Sequence, residues 1–249
     1  MIKHNAVVTG ADRGLGLALA EGLLVRGWRV FAGSYLPDWP QLKQLEERYP
    51  GMLVRLPLDV SSDTSVLAAA AAVEERTRSI DLLINNAGVI TDKSEDSIRA
   101  PQDYEDILRV YQVNSLGPVR MTEAFLPLLE RGEQKRICYV SSEAGSIGKA
   151  ERTAWFAYCM SKAALNMGIK SLFSRLRPDG YTFRVYHPGW MKTYMSGEKN
   201  EQAELEPAES AAPALDYFLG AALPWDEKPR AVDEDRLVMR DWQGREWPW

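Results

Sequence analysis

The sequence predicts an α/β protein: a single domain on a doubly wound parallel sheet with helices on both faces. Three observations predict it. Apolar runs of strand length alternate with helical patterns from the first residues onward, the mark of strands feeding crossover helices. A glycine-rich turn stands between the first run and the first helical pattern, the place where such sheets receive ligands. A length of 249 residues suits one large α/β domain, 1–249, better than two cramped ones.

Each element follows in order. Ala6-Val7-Val8-Thr9 reads as the first strand, and Leu15, Leu19 and Leu23 recur at a four-residue spacing until Gly27 stops the helix. Val30 to Ser34 is the second strand and Met52 to Leu58 the third. Ser61 or Ser62 caps a helix through about Arg78, and Ile80 to Asn85 is the fourth strand. Pro101 suits the first turn of a long helix running towards Arg131. Arg136 to Ser141 is the fifth strand, Trp155 to Leu176 another helix, and Phe183 to His187 the sixth strand, closed by Pro188-Gly189. From Glu198 to Pro213 the chain turns polar and acidic without strand alternation, which predicts a mobile substrate loop within about 190–213 or a short lid helix. An amphipathic stretch around Ala214 to Leu223 and a last strand at Arg236 to Arg240 complete the order.

Composition excludes several function classes. Hydrophobic residues make up 45% and charged residues 26%, the balance of a chain that folds on its own core. Thirty Lys and Arg against thirty-five Asp and Glu leave a charge of −5, without the electrostatic footprint of a nucleic-acid binder. The longest apolar run, Val66 to Val73, falls far short of the ~20 residues that cross a bilayer. Met1 to Asn5 lacks a signal-peptide core, so a soluble cytoplasmic protein is expected. Two cysteines, Cys138 and Cys159, make no disulfide framework, and with only His4 and His187 beside them no metal cage is expected.

Four motifs carry chemistry. The first strand runs into Thr9-Gly10-Ala11-Asp12-Arg13-Gly14-Leu15-Gly16. Glycines serve where backbone lies against a pyrophosphate, and the following helix N-terminus offers free N–H groups and partial positive charge. A tight turn without ligand is the plainer reading; its place between strand and helix favours a nucleotide. Asn85-Asn86-Ala87-Gly88 closes the fourth strand, either as an ordinary turn or as part of a strand-end ligand site. Ser141-Ser142 ends the fifth strand. Tyr158 and Lys162, four apart on one helical face, reach a common ligand, and a lysine beside a phenol favours phenolate and proton exchange nearer neutrality. Such a pair is often a mere surface contact, but the upstream Ser142 and the glycine turn favour catalysis.

In this order the motifs resemble the short-chain dehydrogenase/reductase family over nearly the whole chain. Present in register are the Thr-Gly-x3-Gly-x-Gly turn, Asp59 after the third strand, Asn-Asn-Ala-Gly, an asparagine in the long helix, Ser, Tyr-x3-Lys and Pro-Gly. Gly145-Ser146-Ile147, Ser161 to Met167, His187-Pro188-Gly189-Trp190 with Thr193, and the ending Gly244-Arg245-Glu246-Trp247-Pro248-Trp249 are similar to the carbonyl-reductase subgroup that includes sniffer and the C-factor proteins. The resemblance implies a Rossmann-type fold. It implies Tyr158 as general acid in reduction, Ser142 as the hydroxyl that polarises a carbonyl, and Lys162 as holder of the nicotinamide ribose that depresses the Tyr158 pKa. Asn114 would interrupt the long helix and support a water relaying protons to Lys162. Asp59 and Val60 would lie near adenine, Asn86, Ala87 and Gly88 along the ribose, and Pro188, Gly189, Trp190, Met191 and Thr193 around the nicotinamide. Homodimers or homotetramers through the helices at about 101–131 and 155–176 are also implied. Fifteen residues, Glu143 to Ala157, separate Ser142 from Tyr158, slightly more than in the shortest members.

Charge bears on the cofactor. A carboxylate at the end of the second strand would bind the ribose hydroxyls of NAD and repel the phosphate of NADP. Ser34-Tyr35 stands there, the nearest acid along the chain is Asp38, and Arg13 could face a 2′-phosphate. The balance favours NADP(H) and leaves NAD(H) open. Trp155 and Phe156 before the tyrosine, and Trp190, Met191, Tyr194 and Met195 after the sixth strand, suggest a small apolar or aromatic ketone, aldehyde or quinone-like substrate. His187 reads as a structural hydrogen-bonding histidine and Cys159 as a buried, inert thiol. Four of eight tryptophans fall between Trp225 and Trp249, which predicts a docked tail. The leading function is carbonyl–alcohol interconversion; a cofactor-binding signalling protein on the same fold is the alternative.

Overall fold

The structure, a computed structural model, describes residues 4–91, 96–195, 197–220 and 236–249. In chain order the elements are β1 Asn5–Val8, α1 Gly14–Val25, β2 Arg29–Ser34, α2 Pro40–Arg48, β3 Leu53–Pro57, α3 Asp63–Glu74, β4 Leu82–Asn85 and α4 Tyr104–Tyr111. A π turn, Gln112–Leu116, joins α4 to α5 Gly117–Glu130. Then come β5 Arg136–Val140, α6 Phe156–Leu176, β6 Thr182–His187, α7 Pro207–Leu219, β7 Met239–Asp241 and β8 Glu246–Trp247. The sheet order is β3-β2-β1-β4-β5-β6-β7-β8, and all neighbours are parallel except β7 and β8.

Both sheet faces are buried, so its strands read as continuous apolar runs. Ala6, Val8, Leu82, Ile84, Cys138 and Val140 point into one core with α1 and α7, through Leu19, Leu23, Ala214, Leu215 and Phe218. Val7, Leu83, Ile137 and Tyr139 point into the other, against Val66 and Val73 of α3, Met121 and Phe125 of α5, and Leu165 and Ile169 of α6. Each fully buried Leu, Val or Phe contributes on the order of 2 kcal/mol. The chain leaves β1 towards β3 on one side and β4 on the other. That reversal opens a crevice at the carboxyl ends of the strands.

Several boundaries differ from the sequence reading. Ser62, not Ser61, caps α3 by accepting the Ser65 N–H at 3.3 Å, and the helix ends at Glu74 rather than near Arg78. Asp103 caps α4, accepting the Asp106 N–H at 3.1 Å, so Pro101 lies ahead of the helix. The helix α2 was not anticipated: it buries only Leu42 and Leu45, and Pro37 and Pro40 make its sequence look like a loop. The segment 198–213 is not all loop, because α7 starts at Pro207 behind a capping box of Glu206 and Glu209 and continues through Pro213. Its first half folds back on the strand end, with Lys192 donating its N–H to Leu205 O at 2.9 Å and a 3.0 Å ion pair from Lys192 to Glu206. Residues 221–223 of the expected amphipathic stretch, and Trp225, lie outside the described residues. The last parallel strand sits at 239–241, three residues beyond its expected start, and β8 adds an antiparallel edge.

Candidate active site

Two motifs build one cradle at the crevice. Asn86 and Ala87 each donate a backbone N–H to Thr9 Oγ1 at 2.9 Å, and Asn86 Nδ2 donates to Thr9 O at 2.9 Å and Gly10 O at 3.2 Å. The asparagine motif after β4 thus braces the glycine turn after β1. A Cβ at Gly16 would lie 2.1 Å from Gly10 O, and one at Gly10 would lie 2.9 Å from Ala87 Cα, so no side chain fits at either position. Gly10 and Gly14 also have positive φ, 63° and 58°. No side chain caps α1 and no acid lies in its first turn, which keeps its N–H groups and positive end for an anion. Leu15 and Gly16 of that turn are buried. Thr193 packs on Gly14: its Cγ2 lies 3.4 Å from where a Gly14 Cβ would be. This glycine cradle and uncapped helix fit a dinucleotide pyrophosphate.

At the end of β2 the structure corrects the sequence reading. The acid nearest Ser34 in space is Asp12, not Asp38: Asp12 accepts the Ser34 hydroxyl at 2.6 Å and the backbone N–H groups of Tyr35 and Leu36 at 3.1 Å each. Arg13 is engaged elsewhere. Its guanidinium lies 4.4 Å over the Trp39 ring and 5.4 Å from that of Tyr194, and Nη2 donates to Tyr194 O at 3.0 Å. Tyr194, expected at the substrate, is drawn across the glycine turn instead. The Asp59 carboxylate accepts from Ser61 N and Oγ at 2.8 and 2.6 Å, and Val60 packs beneath Gly117.

The catalytic candidates converge from three elements. Ser141 donates to Asn166 Oδ1 at 2.6 Å, which commits it to the core. Ser142, beyond β5, neighbours Tyr158 and hydrogen-bonds with it. Lys162 Nζ lies 5.6 Å from the Tyr158 ring centroid and donates to Val140 O at 3.0 Å. A Cβ at Gly88 would be 3.4 Å from Asn114 Oδ1 and 3.8 Å from Lys162 Nζ, so the asparagine motif reaches α6 as well. Asn114 sits fully buried in the π turn. Its Oδ1 accepts Val89 N–H at 2.9 Å, and its Nδ2 donates to Val89 O at 2.9 Å and Ser161 Oγ at 3.0 Å. The helix is interrupted at Asn114 as expected, but the side chain is spent on protein partners.

Sequence reasoning missed a polar cluster beside Ser142. The Ser142 hydroxyl donates to Glu143 Oε2 at 2.5 Å and accepts from Ala144 N at 3.1 Å. Glu143 also holds Arg152, whose guanidinium lies 5.0 Å over Trp155, which meets Tyr158 edge-on at 5.8 Å. His187 Nδ1 lies 3.7 Å from Glu143 Oε2 without a hydrogen-bond partner, its ring between Trp242 and Trp247. It is therefore a packed histidine, and its Nδ1 has no hydrogen-bond partner among the described residues. Glu143 opens the stretch read only as a spacer; its adjacency to Ser142 was the available signal. Gly189 at φ 78° leaves room for Trp242, 2.9 Å from where its Cβ would be. Pro188 O accepts from Ser210, Met191 bridges to Leu205, and Trp190 is 54% exposed. Among the described residues no group of three metal-ligating side chains occurs, and no helix is long and apolar enough to cross a membrane.

Comparison with known proteins decides the family. The family model for short chain dehydrogenase matches residues 4–204. The chain is a short-chain dehydrogenase/reductase. This short-chain dehydrogenase is 36% identical over 184 residues to the C-signal protein of Myxococcus xanthus, covering 72% of this chain and 99% of that one. It is similar to an NADPH-bound carbonyl reductase from chicken fatty liver, with a TM-score of 0.84, 30% identity and full coverage of both chains. It is also similar to the carbonyl reductase Sniffer of Drosophila melanogaster, with a TM-score of 0.83, 25% identity and full coverage of both. The carbonyl-reductase-like subgroup read from the motifs is borne out, as is oxidoreductase chemistry.

Burial dominates the electrostatics of this dehydrogenase's site. Burial pushes the Tyr158 phenol above its ordinary value; Ser142 and the Arg152 charge pull it down, and Glu143 pushes it up. Burial also drives the Lys162 ammonium down, to about 8. Burial works against the Glu143 charge, but the Ser142 hydrogen bond, His187 and Arg152 outweigh it and hold that carboxyl below its ordinary value. His187 is lowered by burial, and the half-buried Cys159 thiol is raised by burial. With its pKa raised by burial, the Tyr158 phenol keeps its proton at neutral pH.

Proposed function

We propose that this dehydrogenase uses NADP(H), and accepts NAD(H), to interconvert a carbonyl and an alcohol, with Tyr158 as general acid and base. The observation that carries the reading is the convergence of Ser142, Tyr158 and Lys162 beside the glycine cradle. The nicotinamide, when bound, supplies or accepts the hydride at the carbonyl carbon. As negative charge grows on the carbonyl oxygen, Tyr158 gives that oxygen its proton and Ser142 turns its hydroxyl to donate a hydrogen bond. Two aimed donors stabilise the charge more than the ground state. Lys162 holds a ribose and places positive charge beneath the phenol, and Asn114 fixes the π turn beside it. The NADPH bound by the chicken carbonyl reductase supports the cofactor.

Trp155 against Tyr158 and exposed Trp190 support an apolar or aromatic ketone, aldehyde or quinone-like substrate. Of the segment at about 190–213, the part ahead of α7 serves as the lid over it. Tyr104 and Leu108 of α4 and Met160 and Met167 of α6 are exposed on adjacent helices, which supports association of copies through that face. The protein works in the cytoplasm, without nucleic acid or membrane. NADPH oxidation against a carbonyl panel, repeated with NADH, tests the function. Tyr158→Phe abolishes turnover there and keeps dinucleotide binding. The C-signal relative favours a second reading, a signalling protein; full biological activity of Tyr158→Phe would establish it.

A further inference from the structure

An open α/β sheet of this kind receives the ribose of an adenine dinucleotide at the carboxyl end of its second strand. A phosphate there needs clustered donors, such as successive backbone N–H groups and a hydroxyl. In this chain that set exists and is already taken. Asp12, 5% exposed, accepts from the Ser34 hydroxyl and from the consecutive N–H groups of Tyr35 and Leu36. One carboxylate oxygen takes two of the three bonds, at 2.6 and 3.1 Å, and the other takes the third at 3.1 Å. The neighbouring cation gives no relief, since Arg13 faces Trp39 and Tyr194.

We propose that Asp12 moderates the NADP(H) preference of this enzyme: it is an internal anion that fills the donor cluster at the end of β2 and weakens the hold on a 2′-phosphate. The inference rests on the dinucleotide reading above and deepens it. Asp12 acts through Ser34, Tyr35 and Leu36, so it is a positioning residue. Its negative charge keeps NADH competitive with NADPH in a chain that lacks an acid on β2 itself. The sequence conceals this because Asp12 precedes Ser34 by a whole helix, while Asp38 stands only four residues after it.

The test uses the full chain with Asp12→Asn, which keeps the shape and removes the charge, and Asp12→Ala, which frees the donors. NADPH, NADH, 2′,5′-ADP and 5′-AMP are titrated calorimetrically, and kcat/KM is measured with both reduced dinucleotides. Asp12→Asn is expected to tighten NADPH and 2′,5′-ADP relative to NADH and 5′-AMP by about tenfold, the scale of relieving a like-charge contact. The kcat/KM ratio should move with it. Equal weakening of all four ligands would make Asp12 a brace for the loop and overturn the proposal, as would unchanged ratios in a folded Asp12→Asn protein. Failure of the wild-type chain to bind any of the four overturns the dinucleotide reading itself, a result distinct from an unchanged ratio.

Discussion

Lys162 is a charged side chain in a place that suits an apolar one. The unfolded chain keeps its proton up to about 10.5 and the native chain only to about 8, so stability rises with pH between those values and the full penalty applies below them. Lys162→Met should abolish turnover yet raise the melting temperature at pH 7, with a gain of roughly 2 kcal/mol after the lost bond to Val140 O. Thermal melts from pH 7 to pH 10 should show that gain shrinking. Glu143 has the opposite sign. Its lowered carboxyl contributes stability above the ordinary carboxyl range that is lost as pH falls through its native value. Glu143→Gln should melt lower than wild type at neutral pH and converge with it in acid. It should also raise kcat/KM for carbonyl reduction about threefold or more, because Ser142 leaves a neutral acceptor more cheaply than a charged one. A fall in kcat/KM in a Glu143→Gln protein that remains folded would show that Glu143 aids the Ser142 donor. Tyr158, Lys162 and Ser142 were legible in sequence because helical spacing and motif order fix them. Asp12 and Glu143 were not, since a turn and an irregular loop give no periodicity from which to read a side chain's direction.

At the scale of elements, the π turn matters most to the site. It seats a buried amide with three hydrogen bonds between the β4 exit and α6. Asn114→Ala should cost about 2–4 kcal/mol in urea unfolding, because it strands the Val89 groups and Ser161 in the interior. Turnover should fall with it, because Ser161, next to Lys162 on α6, loses its Asn114 donor. The strands of the parallel sheet were readable to within a few residues because burial on both faces leaves unbroken apolar runs. The helices at the rim were harder. The two buried leucines of α2 are too few to set a period, and the two prolines of α7 masked a helix that its capping box starts and its buried face sustains.

For the whole molecule, alternation of strand and helix gave the layering, but no pattern along the chain revealed the antiparallel strand at the far edge. The apolar face of α4 and α6 belongs to the same scale. If it joins copies, Leu108→Glu with Met167→Glu should sediment as a monomer and keep the melting temperature within a few degrees. A wild-type chain that already sediments as a monomer would refute that interface. The β7–β8 pair has a further consequence, for synthesis. Until residues 239–247 are made, β6 is an open strand edge carrying His187, and its unpaired N–H and C=O groups invite pairing with another nascent chain. The growing polypeptide is thus most vulnerable to aggregation after Ser142, Tyr158 and Lys162 are in place, in the interval before the hairpin seals the sheet.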